Sequence, residues 1–316
     1  MRVGGGALLL VFAIRSLWRR RRSRDGAPEM PNFHLLLGAV VAMVSVASLP
    51  LLYLTLQSYV PEWPGAMCIQ GVTRVGIGSG GATGHLPGLV AFLEAAKPFL
   101  IFLAGIWATL HLINRADREA TRTGAVLVAL AAFGLFAVID GAAESAYLFI
   151  PKQDQNLVTT CCTTAINPYL QQAALAAAGA PALAGPVARH QSLVTGFFGV
   201  GSALIVLSFV MIRRAWAAAP LAVARWSAVV LAVISVPLGV SFLQRVLAPA
   251  ALQLPHHECA YCVLADVPES AIGIGLFGLG ILATGWAAVA HLVDRESLLG
   301  PTLYRVARFG FAGGPI

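Results

Sequence analysis

The sequence predicts an all-α, polytopic membrane protein, and three observations carry that prediction. The chain is 58% hydrophobic and only 11% charged, whereas soluble domains carry about 25% charged residues. Six apolar stretches, near 35–59, 97–114, 123–150, 190–212, 222–246 and 270–293, approach or exceed the ~20 residues that cross about 30 Å of hydrocarbon. The basic residues between them fall mainly on alternate sides. No water is present in the bilayer core, so each stretch must satisfy its own backbone hydrogen bonds as a helix.

Six spans make three helical hairpins. The predicted organisation is a basic N-terminal extension (1–29), hairpin one (30–122), hairpin two (123–220), hairpin three (221–298) and a tail (299–316). In the extension, Gly4 to Ile14 is apolar but too short to span, and the arginines follow it. A secretory signal has the opposite order. The stretch is expected either to lie at the membrane interface or to precede a true translation start at Met30.

Hairpins one and three share two local patterns. Span one holds Ser48-Leu49-Pro50-Leu51 and span five holds Ser235-Val236-Pro237-Leu238; span two ends at His111 to Arg115, and span six at His291 to Arg295. Hairpin two has neither pattern, although a cysteine-bearing loop occurs in all three at nearly equal intervals. An internal triplication is therefore expected, and such repeats often bracket a site. A proline within a helix removes one backbone bond and bends the axis.

Orientation follows from charge. Arg15, Arg19 to Arg22, Arg24, Arg115, Arg118, Arg122, Arg213, Arg214, Arg225, Arg295, Arg305 and Arg308 share one side; Arg74, Lys97, Lys152, Arg189 and Arg245 take the other. Positive residues stay cytoplasmic, which places both termini inside and the cysteine loops outside the inner membrane of a bacterium. The net charge of +7 then reflects arginines facing anionic lipid, and no nucleic acid is called for.

The outer loops hold all five cysteines: Cys68, then Cys161 and Cys162, then Cys259 and Cys262. Cys259-Ala260-Tyr261-Cys262 is a CxxC, a spacing used for a reversible disulfide with a tuned thiolate, for two thiolate ligands to a metal, or for a plain structural bridge. His256 and His257, just upstream, suit either of the first two. Val263 follows the second cysteine, so this is not a c-type haem site. Adjacent cysteines seldom bridge each other, and one of Cys161 and Cys162 is expected to pair with Cys68. An odd cysteine remains in any case.

Two acidic residues, Asp140 and Glu144, lie one turn apart on one face of span three. Charge at that depth usually faces a protein interior or a water-filled cavity, and the pair is a candidate proton or ion relay. His111 and His291, at the inner ends, fit either interfacial hydrogen bonding or axial ligation of a b-type haem. They lie on the face opposite the cysteines.

The segment from Cys259 through span six resembles the CxxC-led last helix of the vitamin K epoxide reductase family, over about 35 residues. In that family a four-helix membrane bundle passes electrons from thiols to a quinone, and further loop cysteines shuttle the electrons. The resemblance implies a redox role for Cys259 and Cys262. Six spans depart from the family pattern, and so does the missing paired-cysteine loop in hairpin one. Three readings follow. The first is a thiol–disulfide oxidoreductase linked to a lipid quinone and an extracytoplasmic redox protein. The second is a carrier of a soft metal (copper, zinc or mercury), delivered by a metal-carrying protein and held by Cys68, Cys161, Cys162, His256, His257, Cys259 and Cys262. The third is a structural subunit of a membrane complex. No phosphate-binding glycine loop, serine triad or metalloprotease motif is present.

Overall fold

The protein is described here as a computed structural model covering residues 2–22, 32–63, 66, 68–73, 75, 82–116, 123–150, 190–215, 222–252 and 259–293. Helices dominate, and no strand occurs among the described residues. The elements are α1 (Arg2–Arg22), α2 (Asn32–Ser58), α3 (Ile69–Thr73), a 3₁₀ turn (Ala82–His85), α4 (Leu86–Ala116), α5 (Thr123–Phe149), α6 (Gln191–Ala215) and α7 (Ala222–Phe242). After a π turn (Leu243–Leu247) come α8 (Ala248–Ala251), α9 (Ala260–Asp266) and α10 (Glu269–Val293).

Six of these helical stretches are long and apolar enough to cross a membrane: Phe33–Ser58, Leu86–Arg115, Thr123–Phe149, Gln191–Val210, Trp226–Ala251 and Glu269–Val289. Large apolar side chains such as Met43, Val206, Val233 and Leu279 point away from the protein. Lipid is the solvent that tolerates them.

The second span departs from expectation. The sequence predicts this span from position 97. Instead α4 begins at Leu86 and carries Pro98 inside the helix. Lys97, assigned from sequence to the outer surface, is fully buried; its charge is met inside the protein, as described below.

The chain divides into two compact units. The first contains α1, α4, α5 and most of α2. Its core is built from Leu9, Ala13, Val41, Leu100, Trp107, Leu130 and Phe133. Gly38 of α2 sits against the Trp107 ring, where a Cβ would lie 2.6 Å from the indole. The Trp107 and Phe133 rings stack at 6.2 Å.

Residues 2–22 also differ from expectation. They form one continuous helix packed along α5. A Cβ on Gly134 would come within 2.9 Å of the Gly6 carbonyl oxygen, and one on Gly6 within 2.8 Å of the Gly134 carbonyl. Glycine on both helices allows the backbones to touch, a common way of pairing helices in lipid.

The second unit contains the loop 57–74, α6, α7, α9 and most of α10. Small residues again set the spacing: Ala228 meets Ala287 and Ala288 in its core, and Gly239 faces the Phe277 ring. Phe197 stacks on Phe242 at 4.2 Å. In the shared serine–proline pattern each serine donates to a carbonyl of its own helix, three residues back for Ser48 and four for Ser235. Ser45 and Ser235 each donate 2.7 Å hydrogen bonds to the carbonyl four residues back, and Ser48 donates to Ser45. Pro50 and Pro237 lie inside their helices.

The glycine contact between α1 and α5 yields a test. Gly134→Ala should lower stability by about 1–3 kcal/mol, because the new methyl meets backbone, which cannot rotate away. Gly88→Ala has nothing within 4 Å and should be neutral. Equal denaturation midpoints for the two variants in detergent would show that α1 does not pack there.

Candidate functional site

Two polar centres stand out, one in each unit. The first grows from the CxxC. Cys259 precedes α9 in an extended conformation (φ −101°, ψ 104°) and caps it, its sulfur accepting a hydrogen bond from the Cys262 backbone N–H at 3.3 Å. One helical turn then returns Cys262 to the same side. Ser270 ties the next helix to this one by donating to the Val263 carbonyl at 3.1 Å.

Cys68 arrives from the other loop of the unit, immediately ahead of α3, where the Gly71 N–H bonds back to its carbonyl. The Sγ atoms of Cys68, Cys259 and Cys262 all lie within 4.8 Å of one another. Ile69, Val72 and Val263 are buried nearby in the same short helices. Cys259 is buried, while Cys68 and Cys262 are half-buried.

Such proximity splits the thiols by acidity. Cys259 is pulled from 9.0 down to about 4, first by the hydrogen bond from the Cys262 thiol, then by that from Cys68, and further by backbone N–H groups. Cys262 is pushed up, chiefly because its proton is held by Cys259. The arrangement is one thiolate stabilised by thiol donors. Three soft sulfur donors this close also suit a soft metal: metal–sulfur bonds of about 2.3 Å place sulfurs under 4 Å apart.

Among the described residues Cys68 meets the CxxC; the expected pairing of Cys68 with Cys161 or Cys162 falls on residues outside that set. Cys161, Cys162, His256 and His257 lie outside the described residues.

The second centre contains the acidic pair. Asp140 and Glu144 of α5 meet two cations. Arg2 of α1 is paired with both carboxylates. Lys97 of α4 lies 2.7 Å from Glu144, 3.5 Å from Asp140 and 3.4 Å from the Ser48 hydroxyl of α2. Two carboxylates and two cations leave no formal charge. Lys97 and Arg2 were not identified from sequence. The signals available were the one-turn spacing of the acids, which calls for a counter-charge, and a lysine embedded between apolar residues.

His111 stacks near Trp107, ring centres 6.2 Å apart. Neither the His111 Nδ1 nor the Trp107 Nε1 has a hydrogen-bond partner among the described residues. The side chain of His291 lies outside the described set, so the paired-histidine reading has one described member.

The chain matches no protein-family profile, no curated protein sequence and no solved structure.

Each centre yields a test. The lowered Cys259 pKa means that its thiolate stabilises the fold fully above about 9 and loses that contribution as pH falls through about 4. Thiolate ultraviolet absorbance of the reduced protein should therefore persist at neutral pH, vanish in a transition near 4, and be absent from Cys259→Ser. Retention of the signal in that variant would place the charge on another sulfur. In the second centre, Lys97→Met leaves buried carboxylate charge undercompensated and should cost about 3–5 kcal/mol. Adding Asp140→Asn should recover much of that loss, and a denaturation midpoint unchanged by Lys97→Met alone would refute the coupling.

Proposed function

We propose that the protein is a membrane thiol–disulfide oxidoreductase whose centre is the trio Cys68, Cys259 and Cys262. The observation that carries this reading is the approach of three sulfurs, from loops far apart in sequence, to within 4.8 Å of one another. The frame is three hairpins in the inner membrane of a bacterium, possessing outward cysteine loops and a cytoplasmic C-terminal end, as the arginine distribution requires. In that oxidising compartment the resting centre holds a Cys259–Cys262 disulfide and a Cys68 thiol.

Exchange then proceeds among these atoms. The Cys68 sulfur attacks Cys259, breaking the Cys259–Cys262 bond, and its proton passes to Cys262. A thiolate of an extracytoplasmic dithiol protein attacks Cys68, and Cys259 departs. Its low pKa makes it the best leaving group of the three. The partner's second thiolate attacks its own sulfur in the mixed disulfide and expels Cys68, which takes one of the partner's protons; water takes the other. The partner leaves as a disulfide, and two electrons remain as the Cys259 thiolate and Cys262 thiol. Burial of Cys259 fits this route, because entry is through the more exposed Cys68.

A lipid quinone is the acceptor class that would reoxidise the pair. The apolar cavity of about 290 Å³ between α6, α7 and α10, lined by Phe197, Phe198 and Phe277 beside Ser208, Ser235 and Thr284, has room for a quinone ring. A second reading, soft-metal capture, draws on the same sulfur spacing, with His256, His257, Cys161 and Cys162 as further ligands.

Alkylation of the purified protein with and without reductant, beside metal analysis, separates the readings. One disulfide between Cys259 and Cys262, opened by mild reductant, is expected. Cys68→Ser should keep that disulfide yet exchange with a dithiol peptide at least about 100-fold more slowly. Stoichiometric copper or zinc on three unoxidised sulfurs would replace the redox reading with the metal one. A bridge that mild reductant never opens would leave a structural role.

A further inference from the structure

Helix α1 was expected at the membrane surface or outside the translated chain. Its environment does not fit a position at the membrane surface. An interfacial helix shows one apolar and one charged face. In α1, Leu9 and Ala13 are buried against the first unit, while Leu8, Val11, Ile14 and Trp18 are exposed. From Val3 to Ile14 both faces are apolar, which is the pattern of a helix surrounded by protein on one side and lipid on the other.

Length and direction agree. From Arg2 to Trp18, ahead of the arginine run, α1 extends about 26 Å at 1.5 Å per residue, a little short of the ~30 Å hydrocarbon thickness. Arg2 and Val3 lie against Gly141 of α5, and Gly6, Leu9 and Leu10 lie against Gly134. The two helices therefore run antiparallel over most of their length. The Thr123 end of α5 follows Arg115, Arg118 and Arg122, which marks it as cytoplasmic. Arg15 and Arg19 to Arg22 of α1 fall toward that same end. At the opposite end the basic residue is Arg2, and both of its neighbouring carboxylates neutralise it.

We infer that α1 is a further membrane-crossing helix, entered from the extracytoplasmic side, with Arg2 serving as the intramembrane counter-ion of Asp140 and Glu144. The inference stands on the first unit alone and is independent of the cysteine chemistry. It replaces a cytoplasmic N-terminal end and makes residues 2–22 part of the bundle. It also gives the acidic pair a role: the two carboxylates receive one cation from α4 and one from α1, and so select the helix that fills this groove. An open ion relay at the same carboxylates would require α1 to leave.

The test uses the full chain with an epitope inserted ahead of Arg2. In right-side-out membrane vesicles, added protease should remove this epitope while a cytoplasmic marker protein stays intact. Protection of the epitope until the vesicles are lysed would overturn the crossing. The counter-ion role is read separately. Arg2→Ala should reduce the folded, detergent-extractable yield several-fold, and Arg2→Ala with Asp140→Asn should restore most of it. Wild-type yield and midpoint for Arg2→Ala alone would remove Arg2 from that role, whatever the epitope reports.

Discussion

A bilayer interior offers no hydrogen bonds, so every polar group placed there must find its partner within the protein. The backbone meets that demand by forming helices, and Ser45, Ser48, Ser235 and Thr284 meet it by donating to carbonyls of their own helices. Charge is the severe case. A lone carboxylate at this depth would be costly, and Asp140 lies next to fully buried Lys97. The same constraint explains why the charged centre draws on several helices: α5 supplies both acids, α4 a lysine, α2 a hydroxyl and α1 an arginine. Association of helices in lipid gains little from hydrophobicity, so this ion pairing and the glycine contacts of α1 with α5 are what give the first unit a defined arrangement.

The cysteine trio obeys different rules, because it sits beyond the ends of the spans. Here short helices do the positioning, and Cys68 and Cys262 stay half-buried. The sharp return of the chain at Cys68 and the capping of α9 by Cys259 bring sulfur atoms together without a large core. One turn of helix suffices to align a CxxC; the third thiol depends on a loop from elsewhere in the sequence. That dependence makes the centre a tertiary feature, and it is why the acidities of Cys259 and Cys262 move in opposite directions rather than together.

How much of this was legible in the sequence varies with the physical range of each interaction. Spans were legible because hydrophobicity accumulates over twenty residues and a few charges do not erase it. The start of α4 was not, since Glu94 lies in the stretch between Leu86 and the predicted start at position 97. Helix α1 was missed for a related reason: Arg2 and Arg15 leave a run too short for a span, and only pairing of Arg2 with Asp140 and Glu144 makes the longer helix affordable in lipid. For the site, the CxxC could be read directly. The direct approach of Cys68 to that pair was legible only as a shared face, because nothing local in the sequence says which of the other cysteines its loop meets.

Both centres turn on the same balance between proximity and charge. Among the thiols, two donors share one negative sulfur, which lowers its energy enough to make it a leaving group while keeping it out of solvent. Among the acids and bases, the charges cancel fully, which suits a permanent contact and not a transient one. A centre that must cycle needs an uneven distribution of protons, so that bonds can be made and broken with small changes in energy. The trio has that unevenness and the quartet does not. On this ground the proposed chemistry rests on the cysteines, while Arg2 and Lys97 join α1 and α4 to the Asp140 and Glu144 carboxylates of α5.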